Sequence, residues 1–350
     1  MASVLLPCAG LYRRFPSGMP KYLRPLSDMR PMLSWALDSV REATDKNHIF
    51  MAIRKENEDV WGASSILKQV EPDIQLLILP RETNGPADTV VCMLEEFSVS
   101  GSFIVKDCDC SMKPISFADG GNAVFLGWRE TAIGDRGSKS WVEVEGDNGL
   151  GLMKVTAITE KQRPTDWYVC GAYQFADADK FLGYFNGADI NRSKEVFCSS
   201  VIQKMMAAGD GFSGVPCHNL HDWGTWDKYV TWRQQRKVYF LDIDGCTTQA
   251  GMPYGAGSWR DVHVLDGVKE KTAKMIADGC SIILVTSRPG TEAGVTEAVL
   301  KEDGVQWTRI VYGIPNGPRV LVNDYAASNP YPACSAINTK RNSGSWMEML

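Results

Sequence analysis

Short apolar runs alternate with segments of helical periodicity along the N-terminal part of the chain. The apolar runs, typical of buried strands, lie at 3–7, 49–53, 76–79 and 103–105. Helical spacing of apolar residues between them appears at 32–40 and 87–97. Alternating strands and helices favour an α/β fold with a largely parallel sheet.

The hydrophobic pattern changes twice further along the chain. Residues 139–175 alternate apolar and polar positions around a Gly-rich turn, which predicts antiparallel strands added to the first sheet. A polar stretch at 232–237 precedes a new apolar run at 238–241, and a second strand–helix series with a helix at 268–277 follows. We therefore predict two doubly wound α/β domains, 1–235 with a mixed sheet and 236–350.

Composition narrows the class of protein. The chain has 350 residues, a formal net charge of −5, 44% hydrophobic and 23% charged residues, which is typical of a globular protein and argues against non-specific nucleic-acid binding. No apolar run approaches the roughly 20 residues that span a bilayer, and the first residues lack the basic segment of a signal peptide. We expect a cytoplasmic protein that does not insert into membranes.

The ten cysteines form no Cys-x-x-Cys pair, and the four histidines do not fall at zinc-site spacing. This pattern favours reduced cysteines used as small core residues.

Candidate phosphate chemistry follows two of the predicted strands. The loop after the first strand carries Gly10, Arg14 and Lys21, which suits a polyphosphate, although a solvated basic loop would have a similar sequence. Asp109, with Asp107 beside it, follows the buried run 103–105. Acids in this position can hold Mg²⁺, and the alternative is an acidic turn or helix cap. Asp222 is a third acid that could serve the same metal.

In their order along the chain, these pieces resemble the motifs of the sugar-phosphate nucleotidyltransferase family over residues 1–233. The matching positions are Ala9, Gly10, Arg14, Pro20, Lys21, Gly85, Ala87, Asp109, Glu160, Lys161, Gly171, Asp222, Gly224 and Thr225. One position departs from the family, because Tyr12 stands where its opening loop has a second glycine. The resemblance implies a Rossmann-like domain that binds an NTP and a phosphorylated sugar or polyol.

The resemblance also implies roles for these residues. A phosphate oxygen of the acceptor attacks the α-phosphorus of the NTP, and pyrophosphate leaves. Arg14 and Lys21 would address the phosphates, and Asp109 and Asp222 would hold Mg²⁺. The implied nucleotide-binding residues are Ala9, Gly10, Gly85 and Ala87, and the implied acceptor-binding residues are Glu160, Lys161 and Gly171. The base of the NTP and the acceptor stay open.

A second carboxylate pair follows the run 238–241. Asp242, Asp244 and Gly245 form an Asp-x-Asp-Gly motif, which alone also suits a turn or a calcium loop. Together with a strand ending at Thr286 and one at 320–324 ending at Asp324, it resembles the haloacid dehalogenase (HAD) phosphatases over 237–345. The interval between Asp244 and Thr286 is too short for a large cap domain.

By this resemblance Asp242 attacks phosphorus, Asp244 is the acid and base, and Thr286 hydrogen-bonds the phosphoryl oxygens. Mg²⁺ would lie on Asp242 and Asp324. The family's lysine is missing, and Arg319 is our substitute, with Lys301 as the alternative. Without a large cap the cleft of this domain would be open, and a second subunit could supply the missing substrate contacts. We therefore expect that the chain could form a homo-oligomer.

Three hypotheses follow. The first is a bifunctional nucleotidyltransferase and phosphatase that serves surface-polysaccharide precursor synthesis. The second is a nucleotidyltransferase, of the CTP:phosphocholine or CTP:polyol-phosphate type, with a weak HAD domain used for assembly or regulation. The third is a non-enzymatic sugar-binding protein. Trp223, Trp226 and Trp232 near Asp222 could form a cage for a quaternary ammonium group, but core packing is the simpler interpretation.

Overall fold

The structure is a computed structural model that describes residues 2–12, 15–16, 18–26, 30–132, 137, 139–146, 151–161, 165–187, 195–250, 262–323 and 334–350. The chain divides into two compact units, residues 1–229 (unit 1) and 230–350 (unit 2). The boundary lies within one helix. Arg14 and Asp324 lie outside the described residues.

Strands and helices alternate through most of the described chain. The strands are β1 (Ser3–Cys8), β2 (Ile49–Arg54), β3 (Gln75–Leu79), β4 (Phe103–Lys106), β5 (Cys110–Pro114), β6 (Ala123–Trp128), β7 (Ser140–Glu145), β8 (Met153–Glu160), β9 (Trp167–Phe175), β10 (Ser213–Asp222), β11 (Val238–Asp242), β12 (Ser281–Val285) and β13 (Arg309–Val311). The helices are α1 (Met32–Asp38), α2 (Lys55–Trp61), α3 (Ala63–Val70), α4 (Pro86–Glu96), α5 (Ala178–Asn186), α6 (Cys198–Ala207), α7 (Trp226–Gln235), α8 (Val268–Ala277) and α9 (Ala293–Glu302).

The described strands of unit 1 form one mixed sheet in the order β3-β2-β1-β4-β9-β6-β10-β8-β7, with β5 paired to β10. β3, β2, β1 and β4 are parallel, whereas β9 runs antiparallel to both β4 and β6. The expected α/β class and mixed sheet are confirmed. The antiparallel strands predicted within 139–175 are β7, β8 and β9.

The apolar run of β1 is continuous because both of its faces are buried. Val4 and Leu6 belong to one core cluster, and Leu5 points into a second cluster on the opposite face. Helix α4 packs on β1 and β2. This arrangement leaves the carboxyl ends of β1 and β4 beside each other, where ligands of such sheets bind.

The described strands of unit 2 form a smaller parallel sheet in the order β11-β12-β13. Asp242 at the end of β11 is in register with Val285 at the end of β12. Leu241, Ile243 and Leu284 form part of its core. The predicted strands at 238–241 and 282–286 and the helix at 268–277 are present.

The strand predicted at 320–324 is wrong for the residues that the structure describes. Residues 320–323 have no strand pairing, and Val320, Leu321 and Val322 are 82%, 55% and 92% exposed. An apolar run becomes a buried strand only where a neighbouring strand accepts its hydrogen bonds. No described strand of unit 2 does so here.

Candidate active site

Unit 1 brings two predicted metal acids together at the end of β4. Asp109 follows β4, and Asp222 ends β10, where it lies opposite Cys110 of β5 in an antiparallel pair. A β-carbon on Gly224 would stand 3.0 Å from Asp222 Oδ1 and 3.4 Å from Asp109 Oδ2. The two carboxylates therefore converge on one glycine, which leaves room between them.

Lys21 occupies this acidic site. Its side chain is buried, and Nζ donates to Asp109 Oδ2 at 2.9 Å and to the Gly224 carbonyl oxygen at 2.7 Å. Burial alone would raise the pKa of Asp109, but the Lys21 and Lys106 ammonium groups together hold that pKa below its usual value. The structure thus joins the predicted phosphate-binding lysine to the predicted metal acid.

Two further lysines, which sequence reasoning missed, contact Asp222. Lys139 Nζ lies 2.6 Å and Lys228 Nζ 2.8 Å from Asp222 Oδ2, while the Gly224 N–H donates to Oδ1 at 2.8 Å. Burial opposes ionisation of Asp222, yet the two ammonium groups hold its pKa well below the usual range. Lys228 lies on the first turn of α7, four residues after Gly224, and this short spacing from Asp222 could have indicated the contact. Lys139 precedes β7, and nothing in its sequence position indicates that it contacts Asp222.

Asp107 extends the acidic cluster. Its carboxylate, that of Asp109 and the Cys110 thiol place their ligand atoms within 4.8 Å of one another. Although Asp107 is exposed, partial loss of hydration beside the cluster and the Asp109 charge raise the pKa of Asp107 to about 6. The fully buried Lys106 donates to the carbonyl oxygens of Asp107 and Cys110, each at 2.8 Å, and fixes this turn.

Gly171, expected to bind the acceptor, faces the same cluster from β9. Its φ is +95°, and its carbonyl oxygen accepts the Asp107 N–H at 2.9 Å. A β-carbon on Gly171 would stand 2.1 Å from Cys110 Sγ and 3.3 Å from Asp107 Oδ2. Glycine is therefore required here by both conformation and space.

Glu160 and Lys161 lie at the end of β8. Glu160 Oε2 accepts hydrogen bonds from Ser140 Oγ at 2.5 Å and Ser199 Oγ at 2.6 Å. Lys161 has a positive φ of +56°, and its Nζ lies 4.2 Å from the Phe197 ring centroid. Glu160 is thus held by the fold, and Lys161 is the more exposed of the two.

Tyr12 has a glycine-like backbone conformation in the opening loop. Tyr12 adopts φ +50°, the left-handed conformation in which glycine is the usual residue, and its hydroxyl donates to the Cys8 carbonyl oxygen at 2.5 Å. Gly10 lies beside the Tyr12 ring. A β-carbon on Gly10 would stand 3.8 Å from Tyr12 Cε1. Ala9 packs against the adjoining core.

Gly85 and Ala87 contact the segment before α6. A β-carbon on Gly85, whose φ is +102°, would stand 2.6 Å from the Val196 carbonyl oxygen. The Ala87 N–H donates to that same oxygen at 3.1 Å. The structure therefore gives these two residues a packing role at the start of α4, and their contact with a nucleotide stays a prediction.

Each tryptophan of the predicted cage packs against side chains of its own unit, and Trp232 lies in unit 2 with the Arg236 guanidinium 4.1 Å from its ring centroid. Trp223 is fully buried against Trp35 and His221 in unit 1. Trp226 packs on Phe15, and the Arg24 guanidinium lies 5.4 Å from its ring centroid. The chain's own arginine thus lies where a ligand cation would bind.

In unit 2 the predicted groups meet at the ends of β11 and β12. Asp242 Oδ1 lies 3.1 Å from Arg319 Nη2, whereas Lys301 pairs with Glu297 on α9. Burial raises the pKa of Asp242 above its usual value, and the Arg319 guanidinium opposes the rise. The contact favours Arg319 over Lys301 as the substitute for the missing lysine.

Asp244 is engaged by two neighbours. Thr286 Oγ1 donates to Asp244 Oδ2 at 2.8 Å, and the Arg288 guanidinium donates to Oδ1 at 2.6 Å through Nη2 and 3.1 Å through Nε. Arg288 is only 2% exposed and was missed by sequence reasoning. Arg288 comes two residues after Thr286, and this position could have indicated that it also lies near the motif.

Solved structures of nucleotide-sugar enzymes have a similar fold. One is a nucleoside-diphosphate-sugar pyrophosphorylase from Vibrio cholerae, with a TM-score of 0.54 and 19% identity over 66% of this chain and 99% of that one. An inositol-1-phosphate CTP transferase from T. maritima has a TM-score of 0.52 and 13% identity over 65% and 90%. A UDP-glucose pyrophosphorylase complexed with UDP-glucose has a TM-score of 0.51 and 16% identity over 66% and 97%.

These likenesses establish the fold of most of the chain and leave the C-terminal part without a counterpart. The matched part of the chain therefore has the fold of the pyrophosphorylases and of the CTP transferase. No protein-family model and no curated protein sequence matches the chain. Within the described parts of the chain, no helix is long and apolar enough to cross a membrane.

Proposed function

We propose that unit 1 is a nucleotidyltransferase that joins an NTP to a phosphorylated sugar or polyol and releases pyrophosphate. The observation that carries the proposal is the convergence of Asp109, Asp222 and Lys21 on Gly224 at the carboxyl edge of the sheet. The same fold occurs in solved pyrophosphorylases and in a CTP transferase. The domains implied are 1–235 and 236–350.

The donor set fits Mg²⁺. Asp107 and Asp109 offer hard carboxylate oxygens close to each other, and Asp222 lies across Gly224. The Cys110 thiol is soft and is already hydrogen-bonded to Lys106. A bound Mg²⁺ would neutralise phosphate charge and polarise the phosphoryl oxygens.

The lysines supply the positive charge for substrate phosphates. Lys21 holds Asp109, and Lys139 and Lys228 hold Asp222, so three ammonium groups surround the acids. An ammonium group whose carboxylate partner binds a cation is free to contact a phosphate instead. In the reaction, an acceptor phosphate oxygen forms a bond to the α-phosphorus. The bond between the α-phosphorus and the oxygen that bridges to the β-phosphorus breaks, and pyrophosphate leaves. The chain's contribution is position and charge.

Phosphorus NMR of a panel of NTPs against sugar and polyol phosphates, with Mg²⁺, tests this proposal. We expect one pair to give a nucleotide conjugate and pyrophosphate. Asp109→Asn should lose at least a hundredfold in rate while staying folded, and the exposed Asp73→Asn should match the wild type. No conjugate from any pair, or full activity in Asp109→Asn, would contradict the proposal.

We propose as a second activity that unit 2 hydrolyses a phosphate monoester, with Asp242 as nucleophile. The Arg319 contact to Asp242 at the end of β11 supports it. Asp242→Asn should abolish hydrolysis of p-nitrophenyl phosphate and leave pyrophosphate release unchanged, and Asp109→Asn should do the reverse.

The engagement of Asp244 by Arg288 and Thr286 favours the competing hypothesis, a weak unit 2 used for assembly or regulation. Absence of any phosphatase turnover in the wild-type chain would decide for it. The bifunctional enzyme would suit surface-polysaccharide precursor synthesis in the cytoplasm, and a homo-oligomer would suit an open unit 2 cleft.

A further inference from the structure

The segment 340–347 near the C-terminus is fastened to the loop that follows β11. Asn342 donates its N–H to the Gly245 carbonyl oxygen at 2.8 Å, and its Oδ1 accepts the Ala250 N–H at 2.8 Å. The buried Trp346 donates Nε1–H to the Cys246 carbonyl oxygen at 2.9 Å. These bonds to three residues of one loop hold the segment in a fixed position beside the Asp-x-Asp-Gly motif.

Arg341 is held against that motif by these bonds. A β-carbon on Gly245, whose φ is +97°, would stand 2.8 Å from Arg341 Cγ and 3.2 Å from Arg341 Nε. The side chain therefore lies along the backbone of the residue that follows Asp244. It is exposed, and it makes no side-chain hydrogen bond or ion pair with the residues that the structure describes.

Arg341 is the third guanidinium group beside the Asp-x-Asp-Gly motif. Arg319 already contacts Asp242, and Asp244 is paired with Arg288. Burial and Asp242 raise the pKa of the Cys246 thiol, and Arg319 and Arg341 both oppose that rise, so both charges act on the same loop. Of these arginines, Arg341 alone has no carboxylate partner in the described part of the chain.

We infer that Arg341 binds a second phosphate of the substrate whose phosphomonoester reacts at Asp242. The inference rests on the proposed phosphatase activity of unit 2. A guanidinium group binds phosphate oxygens through paired N–H donors, and a cation without a partner has no ion pair to break first. Because the short interval between Asp244 and Thr286 leaves no room for a large cap, the segment 340–347 would supply this contact.

The test compares substrates with one and two phosphates. Arg341→Gln should raise KM for fructose 1,6-bisphosphate about tenfold, the loss expected for one exposed charge-assisted contact, without changing kcat. Its kcat and KM for p-nitrophenyl phosphate should stay at the wild-type values. Lys340 is the exposed neighbour of Arg341 and carries the same charge. Lys340→Gln should change KM and kcat by less than twofold for either substrate.

A binding measurement separates this inference from the phosphatase proposal. In an Asp242→Asn background, calorimetric titration of the full chain with the bisphosphate, with and without Arg341→Gln, should show the same tenfold loss. Fructose 6-phosphate should show no difference. If the wild type hydrolyses nothing but the titration shows the loss, the phosphatase proposal fails, and what stands is that Arg341 binds the second phosphate of a bisphosphate ligand. If Arg341→Gln binds the bisphosphate as its parent does, or weakens both ligands equally, the inference is wrong.

Discussion

Gly171→Ala isolates the close contact between β9 and the acidic cluster. The added β-carbon would stand 2.1 Å from Cys110 Sγ, so the thiol or the strand must move. Gly209 is a matched control, because its φ of +99° is close to the +95° of Gly171 and nothing lies within 4 Å of its β-carbon position. Both variants carry the strain of a positive φ, and only Gly171→Ala carries the contact.

The expected magnitudes follow from these two terms. The strain should destabilise each variant by about 1–2 kcal/mol. The contact should add about 1–3 kcal/mol to Gly171→Ala, the usual cost of overpacking. Removing the sulfur with Cys110→Ala leaves Asp107 Oδ2 as the nearest atom, at 3.3 Å. In that background, Gly171→Ala should cost about as much as Gly209→Ala.

Calorimetric unfolding of the four variants and the wild type measures the coupling directly. Pyrophosphate release should fall in Gly171→Ala, because Cys110 belongs to the turn that carries Asp107 and Asp109, and should recover at least partly in the double variant. Equal destabilisation by Gly171→Ala and Gly209→Ala, or an unchanged penalty in the Cys110→Ala background, would refute the reasoning.

Two further substitutions test the charges of the sites. The pKa of Asp107 is raised from 3.8 to about 6 in the folded protein. The folded state therefore binds the proton more tightly than the unfolded state, and ionisation of Asp107 lowers the free energy of unfolding as pH rises from about 4 to 6. In EDTA, Asp107→Asn should therefore raise Tm relative to wild type above pH 6, and this advantage should vanish as pH falls toward 4; a constant difference would contradict the assignment. Arg288→Gln leaves Asp244 without its buried partner and should destabilise unit 2 by about 3 kcal/mol in chemical denaturation, whereas the exposed Arg309→Gln should change stability by less than about 0.5 kcal/mol.

The fold was predictable where both faces of a strand are buried. β1 and β4 are continuous apolar runs because helices and core clusters cover the sheet on both sides. The run at 320–322 is equally apolar but stays exposed, because apolar character alone does not supply a neighbouring strand. This difference between similar runs depends on tertiary pairing, which the local pattern does not contain.

The candidate site was predictable for acids at strand ends and not for the cations that neutralise them. Asp109 and Asp222 belong to motifs of fixed order, and the sheet brings them together at Gly224. Lys139 reaches Asp222 only because the sheet order brings the start of β7 near β10. The choice of Arg319 over Lys301 likewise depends on the contact to Asp242, since both are cations in the same part of the sequence.

Isotope labelling of the two ends of the NTP triphosphate tests the central claim most directly. With the acceptor found by phosphorus NMR, label at the α-phosphorus should appear in the nucleotide conjugate, and label at the γ-phosphorus should appear in pyrophosphate. Both transfers should require Asp109. Label from the γ-phosphorus in the acceptor or in orthophosphate, with none from the α-phosphorus in a conjugate, would contradict nucleotidyl transfer.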